Sequence, residues 1–203
     1  MRSGHRKRPG GFLMLKRLLD ILVSAAALVV LAPLTLVCAI AVKVSSPGPA
    51  FFSQRRLGQY GKPFRLWKLR SMYHRCADRR NADGSAHTGA DDPRITTAGR
   101  FLRATSLDEL PQLWNVLRGE MSLVGPRPDQ VDQQDFYSEE ERRKLLVKPG
   151  LTGLAQISGR NAISWAQRKA LDVEYVEKRS LKLDFSILCR TIPYVCLRRD
   201  LHS

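Results

Sequence analysis

"ILVSAAALVVLAPLTLVCAIAV", residues 21–42, carries no charge over 22 positions. As a helix it would be roughly 33 Å long, about the thickness of a bilayer's hydrocarbon core, so length permits a full span. Pro33, near its middle, removes a backbone hydrogen bond and clashes with the preceding turn at roughly 3 kcal/mol, which predicts a bend. Both flanks are basic, with Arg2, Arg6, Lys7, Arg8, Lys16 and Arg17 before the segment and Lys43, Arg55 and Arg56 after it. A straight span would put one of these clusters on the wrong side of the membrane by the positive-inside rule. A re-entrant hairpin over 15–44, bent at Pro33 with both ends cytoplasmic, satisfies both observations; a kinked span is the alternative. A cleaved signal peptide fits poorly, because the apolar run is too long and no small-residue cleavage site precedes an exported-looking domain.

Outside this segment, a chain of 203 residues that is 43% hydrophobic has room for one domain with its own core, not two. Lys and Arg number 34 against 19 Asp and Glu, a net charge of +15. Such a balance calls for an anionic partner: nucleic acid, an acidic membrane face or a phosphorylated substrate. The charge is unevenly placed, +5 over residues 1–20, +9 over 43–103, −7 over 104–141 and +8 over 142–203. Glu139, Glu140 and Glu141 look like a solvated helix surface, which explains the end of the acidic block better than its start. Cys38, Cys76, Cys189 and Cys196 form no CxxC pair, and His5, His74, His87 and His202 are too scattered for a zinc signature. Reduced thiols and a cytosolic active domain follow.

The rest reads as an α+β fold, a mostly helical small domain with short strands. Residues 1–14 form a basic tail, 15–44 the membrane hairpin and 45–203 a domain on the cytoplasmic face. Within 45–72, "FFSQRRLG" and "PFRLWKL" make a strand pair turned through Gly58 and Gly61. The polar stretch 76–93 is a loop. Helices are expected near 97–104, from Pro111 to Leu117, over 138–146 and from Ser164 to Arg179, where Ser164 and Gln167 match a capping box. "KPGLTGLAQISGR" (148–160) suits turns around one short strand. At the C-terminus, residues 180–200 interleave apolar residues with Lys182, Arg190, Arg198 and Arg199, as in helices lying in a membrane interface or in an amphipathic core helix. There is no GxGxxG, GxxxxGK[ST] or GxSxG motif, and no internal repeat.

The acidic block opens at "TSLDELPQ", residues 105–112. Ser106 and Glu109 could form a capping box, but Pro111 would then be the fifth helical residue, whereas proline prefers the first. Starting the helix at Pro111 instead leaves Asp108 and Glu109 at its mouth, facing different ways and so suited to separate tasks. Arg103 precedes them, and "GPRP" (125–128) follows, with Pro126 and Pro128 stiffening the backbone around Arg127. A guanidinium so held can bind phosphate through two hydrogen bonds. Spacing alone leaves cap and active site both open.

"KRLLDI" (16–21), "GPAFFSQRRLG" (48–58), "FRLWKLRSM" (64–72), "DPRITTAGRFLRATSLDELPQLWNVLRGEMSLVGPRP" (92–128), "KPGLTGLAQISGRN" (148–161) and "LDVEYVEKRSLKLDFSIL" (171–188) together resemble the bacterial sugar transferases, the monotopic phosphoglycosyl transferases, in their minimal catalytic-unit form. The resemblance covers nearly all of residues 15–192. It implies transfer of a sugar 1-phosphate from a UDP-sugar to a polyprenyl (undecaprenyl) phosphate, releasing UMP. This is the first membrane step in assembling an exopolysaccharide, O-antigen, capsule, lipopolysaccharide or glycoprotein glycan.

By the same resemblance Asp108 is the nucleophile, forming a covalent phosphosugar intermediate, with Glu109 beside it and Mg²⁺ as cofactor, held by Asp108. Arg103 and Arg127 match positions that contact phosphate or nucleotide, and Arg160 fits a similar role. Asp172 and Asp184 match acidic positions near the site; taken alone they also suit a helix surface and a helix N-cap. The implied location is the cytoplasmic face of the bacterial inner membrane, with lipid as a partner, no nucleic acid, and a homodimer left open. Ala32 stands where the family often has serine before the proline, so a hydroxyl bond at the helix break is not expected. The rival readings are a membrane-tethered basic nucleic-acid-binding protein, which lacks any recognised fold signature, and a scaffold, which leaves the Asp-Glu and arginine constellation unexplained.

Overall fold

The computed structural model describes residues 10–81, 84–85, 89, 92–159 and 163–196. The uncharged segment forms two helices, α1 (Gly10–Val30) and α2 (Ala32–Ser45), bent by 60°. Among the described residues no single helix is long and apolar enough to cross a membrane, while this bent pair meets that test jointly. The break falls at Leu31 rather than at Pro33, which lies in the first turn of α2. N–H groups of a first turn have no intrahelical partner, so the proline costs little there and the bend moves ahead of it. A hydroxyl does bond at the break: Thr35 Oγ1 donates to the Leu31 carbonyl at 2.8 Å, beside the Thr35 backbone N–H. That corrects the expectation drawn from Ala32. Residues 10–14 also belong to α1 and not to a tail; Arg2, Arg6, Lys7 and Arg8 lie outside the described residues.

Strands β1 (Phe51–Leu57) and β2 (Pro63–Leu69) pair antiparallel as their sequences predict, with Phe51 opposite Leu69 and Leu57 opposite Pro63. Their turn uses left-handed Tyr60 and Gly61, at φ 58° and 72°. Next come α3 (Thr97–Ala104) and α4 (Gln112–Arg118), close to the predicted bounds. Then β3 (Ser122–Val124) pairs in parallel with β4 (Gly150–Thr152), and α5 (Leu154–Ile157), α6 (Trp165–Lys178) and α7 (Leu181–Cys196) complete the chain. The capping box of Ser164 and Gln167 is formed in full at the start of α6.

The helix expected over 138–146 is instead a 3₁₀ turn, Glu141–Leu146. In 3₁₀ geometry residues three apart share one face. Glu141 and Lys144 therefore both meet α6, pairing with Lys169 at 2.8 Å and Asp172 at 2.6 Å.

Both apolar helices rest on the domain by one face. α1 packs Ala27 and Leu28 against the core of Leu113, Val116, Leu123, Tyr175 and Ile187, while α2 buries Cys38, Ala39 and Val42 against Leu69 and Leu102. Their other faces leave Leu22, Val29, Val30, Leu36, Val37 and Ile40 exposed. α7 is amphipathic as its sequence predicts, with Ile187 wholly buried and Phe185 and Ile192 exposed; Arg198 and Arg199 lie outside the described residues.

Strands β3 and β4 deliver the GPRP loop. Where they lead into it the backbones touch: a Cβ on Gly150 would stand 2.1 Å from the Gly125 nitrogen. Only glycine admits that approach. Gly150 N–H then donates to the Pro126 carbonyl at 2.8 Å and pins the start of the loop.

Candidate active site

The dyad sits on a 3₁₀ turn, Leu107–Glu109, between α3 and α4. Ser106 before it is left-handed (φ 57°) and makes no capping bond, which excludes the capping box. Pro111 takes the N-cap position of α4 with φ already helical at −61°, so the helix starts one residue past it. Leu107 packs beside the cluster of Leu69 and Leu102, anchoring the turn.

The two carboxylates stand differently. Glu109 Oε1 accepts from Lys68 Nζ at 3.0 Å and from Arg127 Nη2 at 2.8 Å. Burial alone would raise its pKa, but Arg127 and Lys68 together overcome burial and hold the carboxyl far below the usual range. Asp108, 6% exposed, makes no hydrogen bond among the described residues, and its one ion pair is a loose 3.8 Å contact with Lys68. Burial pushes its pKa up, against the pull of Lys68 and with help from the Glu109 charge. One carboxylate is thus committed to protein cations, and its neighbour is uncommitted and more basic than an ordinary aspartate.

The other predicted residues divide into two groups. Arg103, at the end of α3, is close enough to Asp108 to favour its ionisation, and its Nη1 is buried with no hydrogen-bond partner among the described residues. Arg127 joins the dyad directly, and Pro126 and Pro128 flank it in the wall of a small cleft that also includes Leu57, Asp129 and Lys144. Asp172 is no helix-surface carboxylate: it is buried on α6, 2.6 Å from Lys144, behind the GPRP loop. Asp184 pairs with Lys16 of α1 and accepts from the Tyr175 hydroxyl, each at 2.7 Å, so its partners are not the dyad. Nor does it cap α7, since Ser180 Oγ accepts the Leu183 N–H there. Arg160 lies outside the described residues.

Sequence reading missed Lys68, the cation that touches both carboxylates. In an alternating strand it looks like any solvent-facing lysine. It is placed by Asn115 of α4, a fully buried amide that accepts from Trp67 N–H at 3.1 Å and donates to the Arg65 carbonyl at 2.7 Å. The helix following the dyad thereby grips the strand that carries its lysine.

Two adjoining carboxylates of unequal commitment, ringed by Lys68, Arg103 and Arg127, make a candidate site whose charge suits a phosphorylated substrate. Residues 12–198 match the family described as bacterial sugar transferase. The chain is 45% identical to the uncharacterized sugar transferase EpsL of Bacillus subtilis, covering 94% of this chain and 92% of that one. It is 44% identical to the exopolysaccharide production protein ExoY of Rhizobium meliloti, covering 92% and 87%. It is likewise 44% identical to the UDP-glucose:undecaprenyl-phosphate glucose-1-phosphate transferase of Caulobacter vibrioides, covering 92% and 73%. The chain belongs to the bacterial sugar transferase family and is a transferase.

Proposed function

We propose that this enzyme transfers a sugar 1-phosphate from a UDP-sugar to undecaprenyl phosphate through a phosphosugar intermediate on Asp108. The observation that carries this reading is the asymmetry of the dyad: Glu109 is bound by Lys68 and Arg127, while Asp108 is free to attack. An Asp108 oxygen bonds to the sugar-bearing β-phosphorus, and the bond from that phosphorus to the bridging oxygen breaks, releasing UMP. A phosphate oxygen of the polyprenyl phosphate then attacks the same phosphorus, the bond to Asp108 breaks, and the carboxylate is restored. Splitting one displacement into two is the benefit of covalent catalysis. Arg127 and Arg103 bind phosphate oxygens in both steps, and Lys68 and Arg127 keep Glu109 ionised and in place.

Magnesium fits this donor set. No group of three or more metal-ligating side chains gathers among the described residues. Mg²⁺ typically takes one or two carboxylates and completes its shell with water and substrate phosphates, so Asp108 is the residue that would hold it. When bound, it neutralises charge on the diphosphate. The test of the reaction is UMP release from UDP-glucose and other UDP-sugars, with undecaprenyl phosphate and Mg²⁺ present. Continued turnover that needs both lipid and metal, with at most a stoichiometric burst of UMP in the absence of lipid, is the expected result; UDP-sugar left intact across the whole panel contradicts it.

The same reading places the bent helices in the membrane as a re-entrant hairpin at the cytoplasmic face of the inner membrane. The support is the exposed apolar face of α1 and α2, of a kind that marks membrane contact in a folded protein. Phe185 and Ile192 on α7 suit the interface. Gly11, with open space around it, and exposed Val44 report the two ends. Cysteines placed at these positions, in a background without native cysteines, both react with an impermeant reagent from the cytoplasmic side. Reaction from opposite sides would establish a span.

A further inference from the structure

Behind the GPRP loop lies a buried charge cluster that the chemistry above does not use. Lys144 exposes 3% of its side chain, with Nζ 2.8 Å from Asp129 Oδ2 and 2.6 Å from Asp172 Oδ2. Asp129 directly follows Pro128; its Oδ2 also accepts from the Tyr137 hydroxyl, and its backbone carbonyl accepts from Leu57 N–H at 2.9 Å. From α6, Asp172 meets this cluster through Lys144 at Oδ2, while its Oδ1 is buried with no hydrogen-bond partner among the described residues. Arg56 reaches toward the same loop, its Nη1 3.4 Å from the Pro128 carbonyl. The loop at 125–129 is thus held at its start by β4, at its end by β1, and from the inside by one lysine bound to α6.

Such a cluster is a poor source of stability. Removing an ammonium and two carboxylates from water costs about as much as their attraction returns, and apolar packing of equal volume would serve the fold as well. Burial pushes the Asp172 carboxyl up to about 6 despite the pull of Lys144. What apolar packing lacks is direction, and this loop carries the arginine that must stand 2.8 Å from Glu109.

We propose that Lys144 and Asp172 are positioning residues: through Asp129 and the backbone of 125–129 they fix the Arg127 guanidinium at the dyad and so tune binding of the donor's diphosphate. This rests on the phosphoglycosyl transfer reading for its kinetic consequence, though not for its structural one. Neither residue need touch substrate, so their influence passes through Arg127 alone.

Lys144→Met would strand two buried carboxylates and risks the fold, whereas Asp172→Asn is isosteric and leaves Lys144 paired one-to-one with Asp129. In the full-length Asp172→Asn chain, backbone amides of 125–130 exchange hydrogen about tenfold faster than in the wild type, while those of the β1–β2 hairpin keep their rate. With UDP-glucose as donor, Asp172→Asn raises KM about tenfold and lowers kcat less; in an Arg127→Ala background the same substitution changes neither. Unchanged exchange at 125–130 overturns the proposal. So does an equal loss in both backgrounds, which would show a route to substrate other than Arg127. A wild-type chain that releases no UMP, alongside faster exchange in Asp172→Asn, removes the reaction and leaves the tether standing.

Discussion

Asp108→Asn lowers turnover by about 10⁴-fold or more and abolishes labelling of the protein by UDP-sugar, while thermal unfolding stays at or above the wild-type temperature. The kinetic half follows from chemistry: an amide of the same shape cannot form the acyl phosphate, so no intermediate exists. The stability half follows from burial. Asp108 has its pKa raised chiefly by desolvation, with only a loose contact to Lys68 in return. A carboxyl raised in the folded state binds its proton more tightly there than in the unfolded chain, so its ionisation weakens the fold as pH rises toward neutrality. Asparagine removes that charge. Activity and stability therefore move in opposite directions, as they do where a site is strained for function. Steady-state UMP release and a thermal melt on one preparation check both halves.

Arg127→Ala costs about 10² to 10³-fold in kcat/KM, the usual scale for losing one aimed group at a charged transition state. Two effects combine. A phosphate ligand is lost, and Glu109 keeps only Lys68 of its two cations. The Arg127 side chain is 42% exposed, so solvent screening limits the ion pair's share of stability to no more than about 1 kcal/mol. A large kinetic loss with a near-native melt is the expected signature, measured as kcat and KM with UDP-glucose beside thermal unfolding. Arg127→Lys recovers only part of the loss, because a lysine offers a point charge in place of a planar fork. A collapsed melt in Arg127→Ala would instead make the residue structural.

Local signals were well written in the sequence. The uncharged run and its proline announced a bent helix pair, Gly58 and Gly61 a hairpin, and Ser164 with Gln167 a helix start; each depends on neighbours within a few positions. Pro111 was also enough to make a cap at Ser106 awkward, which the left-handed Ser106 bears out. What stayed hidden is long-range pairing of charge. Nothing near Lys68 points to carboxylates some forty positions later, and nothing near Lys16 points to Asp184. Asp172 matches an acidic position near the site, yet its partner Lys144 comes from another element. The 3₁₀ turn at Glu141–Leu146, where the sequence predicts an ordinary helix, likewise makes its ion pairs with a distant element, α6.

The most direct measurement of the covalent mechanism is mass spectrometry of the wild-type chain after brief exposure to UDP-glucose and Mg²⁺ without lipid acceptor. The expected product carries one added hexose phosphate, located to Asp108 by peptide mapping and discharged by undecaprenyl phosphate. UMP release at full rate upon adding the lipid, with the protein never gaining mass, or an adduct that survives in Asp108→Asn, would contradict it.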